Sequence, residues 1–301
     1  MLTRRHVLTA ATATLAGAML PRRLWAGSKL ALGPVQIDTL SDGSLVLPGD
    51  FILGGMPQEE MAAIVAKYGL PTDQQTPPCN VTLLRDGTHT VLFDVGSGPD
   101  FQPSAGKLAE AMEVLGVAAE DVTHVLFTHG HPDHLWGLLD EFDEPVFPSA
   151  EFVMGQAEFD YWMDPATVDS IGEARASFAV GAARRLAVIA DTVRLVGDGD
   201  EVLPGITARL TPGHTPGHLA WEIGTAGAMV VGDAIGNHHV AFERPDWASG
   251  SDQDGALAAA TRVALLERLA AEGIPMIGYH LPGGGIGRVE RAESGFRFVE
   301  T

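Results

Sequence analysis

Apolar and polar positions along this chain follow two rhythms, and the switches between them mark out short strands and longer helices. Val35 to Leu47 alternates at the two-residue period of a half-buried strand, and Asp42-Gly43 inside it is a turn signal, so this stretch predicts a hairpin. Residues 48 to 79 hold no sustained period apart from a short helical piece near Gln58 to Tyr68. Val81 to Leu84 and Thr90 to Val95, separated by Asp86-Gly87, predict a second hairpin that ends in Phe93-Asp94-Val95-Gly96-Ser97-Gly98. Lys107 to Leu115 has the helical period, and Val122 to Phe127 reads as a buried strand. Helices are expected to begin in Leu135 to Leu139 and to fill Gln156 to Met163 and Glu173 to Ile189. Strands return at Thr192 to Val196, Thr207 to Leu210, Leu219 to Ile223 and Ala228 to Val231. Ala256 to Ala271 is an amphipathic helix, followed by strands at Met276 to Tyr279 and Phe296 to Val299. Strands precede helices in two rough halves without a fixed repeat. That pattern predicts a helix-covered pair of sheets in one domain over residues 27–301.

The first 26 residues stand apart. Arg4-Arg5 precedes a small-residue apolar run from Leu8 to Leu20, then Pro21-Arg22-Arg23-Leu24-Trp25-Ala26. This resembles a twin-arginine export signal cut near Ala26, which predicts a periplasmic or secreted protein. No later stretch is apolar for long enough to span a membrane. Four of the 19 basic residues and none of the 39 acidic ones lie in that segment, so the remainder carries a formal charge of −24. Such a surface repels phosphate backbones and argues against a nucleic-acid partner. Cys79 is the only cysteine. It excludes a disulfide framework and reads as a structural residue.

Chemistry concentrates in Thr128-His129-Gly130-His131-Pro132-Asp133-His134, which places three histidines and an aspartate within six residues. Imidazole and carboxylate suit zinc and its first-row neighbours. Four such groups exceed the three protein ligands of one open catalytic zinc, so the segment points to two metals. Three later segments each bring a ligating residue to a strand end or rigid turn. They are Thr211-Pro212-Gly213-His214-Thr215-Pro216-Gly217-His218, Val231-Gly232-Asp233, and Gly278-Tyr279-His280. An aspartate leaving a buried strand needs a partner, because an unpaired buried carboxylate costs several kcal/mol. His89, His124, His238 and His239 have no partner pattern and read as surface or structural histidines.

Taken in order, H-x-H-x-D-H, then H, D and H resembles the metallo-β-lactamase-fold hydrolases, over about Val81 to His280. The resemblance implies an α/β fold, an αββα sandwich with a dinuclear metal site at one edge. By position it implies that His129, His131 and His214 hold one metal. Asp133, His134 and His280 would hold the other, and Asp233 would bridge them. It also implies that Asp94 supports the metal loop from behind, and that His214 rather than His218 is the ligand of its turn. His218 then has a supporting role. The cofactors expected are two divalent ions, zinc by default, with manganese, iron or cobalt fitting the same donors.

Two metals sharing a hydroxide would supply the nucleophile, with Asp133 and Asp233 as the catalytic carboxylates and no serine elbow needed. The strand Val122 to Phe127 before His129, the segment Phe159-Asp160-Tyr161-Trp162 and the ending from Ile277 are similar to the methyl parathion hydrolase-like and quorum-quenching lactonase-like group. That implies small, neutral substrates: esters, lactones or phosphotriesters. A dedicated N-acyl homoserine lactonase is the alternative, and an iron-dependent oxidoreductase of the same fold stands behind it. Some lactonases of this superfamily carry a tyrosine just after the bridging aspartate; this chain has Ala234-Ile235-Gly236-Asn237 there. Trp162, Phe159 and Trp136 are expected to wall the substrate pocket. The helix Ala256 to Ala271 is expected either to cap the sandwich or to face a second copy in a homodimer.

Overall fold

The computed structural model describes residues 26–301 except 225 and 226. The twin-arginine segment over residues 1–25 lies outside the described residues.

The first half of the chain builds one sheet. Its strands are β1 (Ala26–Leu32), β2 (Val35–Ser44), β5 (Pro78–Arg85), β6 (Thr90–Phe93), β7 (His124–Leu126), β8 (Glu151–Gly155) and β9 (Arg194–Val196), neighbours in that order. Between β2 and β5 the chain forms a small ribbon of β3 (Leu47–Pro48) and β4 (Gln74–Gln75). Antiparallel pairing runs from β1 to β6 and parallel pairing from β6 to β9. The second sheet contains β10 (Glu201–Leu203), β11 (Ile206–Leu210), β12 (Leu219–Ile223), β13 (Ala228–Gly232), β14 (Met276–Gly278), β15 (Ile286–Arg291) and β16 (Phe296–Glu300). Only β13 and β14 pair in parallel there.

Side-chain alternation divides the interior into layers. Phe93, Leu126 and Val153 of the first sheet meet Trp221, Val230 and Ile277 of the second. Their neighbours Leu92, Val125, Phe127 and Met154 point the other way. There they meet the helices α3 (Leu108–Leu115), α5 (Gln156–Met163) and α7 (Ala176–Ile189). On the far side, Met229, Val231 and Met276 are covered by Leu265, Leu266 and Leu269 of α9 (Gly255–Glu272). Apolar side chains on both faces explain why the central strands read as unbroken apolar runs. The result is the αββα sandwich. The remaining helices are short: α1 (Gly49–Leu53), α2 (Gln58–Lys67), α4 (Pro132–Leu135), α6 (Thr167–Ser170) and α8 (Val240–Glu243). Of these, α1, α2 and α8 share a small cluster of their own around Leu53, Val65 and Val240.

The expected hairpin over Val35 to Leu47 is not formed. β2 continues through Asp42-Gly43 and turns before it, at Gly33-Pro34. Asp42 is fully buried, and its carboxylate accepts the backbone N–H groups of Ser97, Gly106 and Leu108. The Asp-Gly pair therefore anchors a distant loop, and the strand registers it as a bulge between Ser41 and Ser44. The helix after the histidine loop starts at Pro132, earlier than expected. Proline suits its first turn because the missing N–H would be unpaired there. The strands β1, β4, β8, β10 and β15 have no counterpart in the expected set. The amphipathic helix near Ala256 caps the second sheet.

Candidate metal centre

All seven predicted ligand side chains converge at one edge of the sandwich, where β7, β11, β13 and β14 end. His129, His131, Asp133 and His134 leave β7; His214 follows β11; Asp233 follows β13; His280 follows β14. Ligands at the carboxyl ends of strands are the usual placement in α/β sheets. Each of the seven is at least nine-tenths buried.

Two overlapping clusters result. In the first, Nδ1 of His131 lies 2.9 Å from Nε2 of His129 and 2.9 Å from Nε2 of His214. In the second, Nε2 of His280 lies 3.2 Å from Asp133 Oδ2 and 3.2 Å from Asp233 Oδ2, and Nε2 of His134 lies 3.4 Å from Asp133 Oδ2. Asp233 touches both: Oδ2 is 3.4 Å from His214 Nε2, and Oδ1 is 3.3 Å from His134 Nε2.

The tautomers show what these atoms want. His134 gives its Nδ1 proton to Asp94 (2.8 Å), His214 gives its own to Asp252 (3.0 Å), and His280 gives its own to the Pro78 carbonyl (2.8 Å). In the neutral rings the Nε2 atoms are then lone pairs. Neutral rings would turn those lone pairs toward carboxylates and one another, so something positive, a proton or a metal cation, has to lie between them. Asp133 Oδ2, His134 Nε2 and Asp233 Oδ1 are buried without any hydrogen-bond partner. Cations between these atoms would relieve every one of the facing lone pairs, so the donor set fits divalent metal ions. The electrostatics agree. Burial opposes charge on His134 and His280, yet Asp233 and Asp133 hold both rings well above the ordinary histidine value. Burial, with the neighbouring rings, pushes His129 and His131 well below it. One side of the pocket therefore draws positive charge and the other offers neutral imidazoles.

Supporting residues fix the ligands. Asp94 sits at φ +66°, a left-handed conformation that an aspartate tolerates. From there it accepts the Thr128 N–H (2.7 Å), the Thr128 hydroxyl (2.8 Å) and His134. His218 keeps to a supporting position. Its Nε2 accepts the Asp233 backbone N–H (3.0 Å), and its Nδ1 bonds the Thr211 hydroxyl (2.7 Å). Gly232 before Asp233 has φ +50°, and a Cβ there would lie 2.6 Å from His218 Nε2, so only glycine fits.

Several residues were missed by sequence reasoning. Asp252 holds His214 and is itself held by Arg262 of α9 (2.7 Å). Glu158, fully buried on α5, accepts four donors: Gly130 N–H, Trp162 indole N–H, Thr215 hydroxyl and Gly217 N–H. A polar residue four positions before Trp162 on an apolar helix face was its only signal. Asn80 gives its amide to the carbonyls of Tyr279 and Leu281 (2.8 Å each) and so braces the His280 turn. Cys79, read as merely structural, packs its thiol within 4.8 Å of Asp133 and His280 ligand atoms; burial pushes that thiol up to about 12.

The clusters open into a cavity of about 190 Å3. His131, Asp133, His214, Asp233 and His280 form its floor, and Leu45, Leu47, Phe51, Ile52, Met56, Phe101, Phe178, Val240 and Trp247 form much of its wall. The segment after residue 47 thus supplies one side. None of the three expected wall aromatics is there. Trp162 lies 1% exposed beneath the loop, against Gly130 and bonded to Glu158. Trp136 stacks under the Arg185 guanidinium at 4.5 Å, and Phe159 packs in the helix-side core. Aromatic content locates buried area, not the face on which it is buried.

Comparison with known proteins gives the family. The sequence profile described as the metallo-beta-lactamase superfamily matches residues 76–273. An uncharacterized protein of Mycobacterium tuberculosis is 29% identical over 199 residues, 62% of this chain and 79% of that protein. Among solved structures, a hydrolase named AbOPH, described as being in the beta lactamase superfamily, is 26% identical. It has a TM-score of 0.84 and covers 93% of this chain and 99% of its own. AidC, described as a dizinc quorum-quenching lactonase, shares the fold at a TM-score of 0.86 and 24% identity, covering 92% of this chain and 98% of its own. This chain belongs to the metallo-beta-lactamase superfamily.

Proposed function

We propose that this protein is a metal-dependent hydrolase of small, uncharged, partly apolar esters, with lactones foremost. The observation that carries the reading is the cavity itself: a floor of histidines and carboxylates under walls of aliphatic and aromatic side chains. His129, His131 and His214 would hold one divalent ion; Asp133, His134 and His280 the other; Asp233 would be shared. When bound, such a pair of ions, zinc by default, supplies a deprotonated water at neutral pH and polarises the electrophilic oxygen. The protein's own residues do the rest. Asp133, whose Oδ2 lies 3.2 Å from His280 Nε2 at the floor of the cavity, would orient the attacking water while holding its ion and would help to pass on a proton. The apolar walls bury the substrate's carbon skeleton and exclude competing water. An acidic surface does not repel neutral substrates, and AidC's description as a lactonase supports lactone opening. The twin arginines near the N-terminus are the basis for proposing export to the periplasm or beyond, which fractionation of cells making the full chain would check.

The test is turnover by zinc-loaded protein of N-hexanoyl-L-homoserine lactone, a simple aryl ester and a methyl phosphotriester, with metal content measured beside it. Two metals per chain, with lactone or ester turnover that Asp133→Ala abolishes, is the expected result. Full activity in Asp133→Ala protein, or protein that holds two metals and opens neither lactone nor ester, would sink the reading.

A further inference from the structure

Asn237 follows Asp233 by four positions, after the single turn Asp233–Ile235. It is 9% exposed and lines the cavity together with Asp133, Asp233 and His280. Its carboxamide orientation is fixed by its neighbours. The backbone N–H groups of Ala241 (2.9 Å) and His239 (3.3 Å) both point at one terminal atom. Two donors require an acceptor, so that atom is the oxygen and the other is the NH2. The oxygen is consumed in capping α8. The NH2 has no hydrogen-bond acceptor among the described residues and is not one of the fully buried unpaired atoms, and Asn237 lines the cavity. A donor held this way, in a mostly apolar cavity and beside Asp233, has its orientation settled before any ligand arrives.

We propose that Asn237 is a catalytic residue that donates a hydrogen bond from its side-chain NH2 to the substrate's carbonyl oxygen. The proposal rests on the ester-hydrolase reading above. Water oxygen bonds to the carbonyl carbon, and the C=O π pair moves onto the carbonyl oxygen, where the Asn237 N–H meets the growing charge. That pair then re-forms the carbonyl, the bond to the alkoxy oxygen breaks, and the leaving oxygen takes up the proton given by water. Ester plus water becomes acid plus alcohol. A neutral donor also suits the surroundings. An uncharged carbonyl needs only a positioned N–H, not a charged partner. In this chain the donor comes from an asparagine whose other end caps a helix, so its aim is set by α8.

The experiment uses two variants that keep an oxygen for the Ala241 and His239 N–H groups and lose the NH2: Asn237→Asp and Asn237→Ser. The probes are N-hexanoyl-L-homoserine lactone and its thionolactone, whose sulfur accepts hydrogen bonds poorly. Metal content and melting temperature are measured on the same samples. We expect unchanged metal content and melting, and kcat/KM on the lactone falling about 100-fold, the scale of one lost oxyanion donor. The lactone-to-thionolactone ratio should shrink with it. Turnover within about threefold of wild type in the metal-replete Asn237→Ser protein, or an unchanged ratio, overturns the proposal. Loss of metal in both variants also overturns it, since Asn237 would then only hold the Asp233 turn. Wild-type protein inert to lactones and esters instead overturns the ester reading, and this donor role with it.

Discussion

At the scale of single residues, Glu158 has the most consequential position outside the ligand set. One oxygen holds the His129–His131 loop through Gly130 (2.9 Å) and the Trp162 indole (2.6 Å). The other holds the His214 turn through Thr215 (2.8 Å) and Gly217 (3.0 Å). Burial pushes its carboxyl upward, and the four donors pull against that. Glu158→Ala would leave two backbone N–H groups, an indole and a hydroxyl buried without partners, and we expect a loss of about 3–5 kcal/mol. Glu158→Gln keeps one oxygen but turns an NH2 toward two donors, so it should lose a smaller amount, about 1–2 kcal/mol. Urea unfolding at fixed metal concentration measures both. An alanine variant within 1 kcal/mol of wild type would mean that water replaces the carboxylate and that Glu158 is not the clamp described.

At the scale of elements, the second sheet and its helix are joined by charge as well as packing. Glu222 on β12 meets Arg209 of β11 at 2.7 Å and Arg268 of α9 at 3.1 Å. Burial is the largest single influence and works against its charge, but the two guanidiniums together outweigh it and hold the carboxyl below the usual glutamate value. A carboxyl lowered on folding adds stability above its unfolded value near 4.3, and that stability is lost as pH falls through the folded value. Glu222→Gln should therefore be less stable than wild type at pH 7, by at most about 1 kcal/mol for a partly exposed pair. The gap should narrow as pH falls through the folded value and vanish below it, as urea midpoints across an acid pH series would show. A gap of constant size would place the effect in packing. Elements also explain what the sequence could and could not disclose. H-x-H-x-D-H was legible because its residues are adjacent, and Asp233 and His280 because each ends an apolar strand. Asp252 and Glu158 were not, because the site segments they support lie 38 residues away for Asp252 and 28 to 59 for Glu158, and their near partners Arg262 and Trp162 do not disclose those distant pairings. Asp42-Gly43 was misread as a turn for the same reason: its partners are 55 to 66 residues distant. The strands β8, β10 and β15 are short or partly exposed, and too brief to display a period.

At the scale of the whole molecule, the candidate centre joins the two halves. His129, His131, Asp133 and His134 hang from the first sheet, whereas His214, Asp233 and His280 hang from the second. Ions held among them would tie the sheets together at one edge, much as a staple does, and they would balance the buried charge of Asp133 and Asp233. Folding and metal binding are then linked, because the unfolded chain offers no preformed site. At free metal one hundredfold above each dissociation constant, linkage adds about 2.7 kcal/mol per ion, or about 5 kcal/mol for two. For a domain of this size each kcal/mol moves the melting temperature by about 2–4 °C, so full chelation should lower it by roughly 10–20 °C. Returning zinc should restore the transition. If Asp133 holds one ion only, as proposed, Asp133→Ala should retain about half of the response. Differential scanning calorimetry with metal content checked before and after chelation reads all three. Identical melting of the loaded and stripped protein would show that the two sheets hold together without the ions, and that the seven side chains are preorganised by Asp94, Asp252, Glu158 and Asn80 alone.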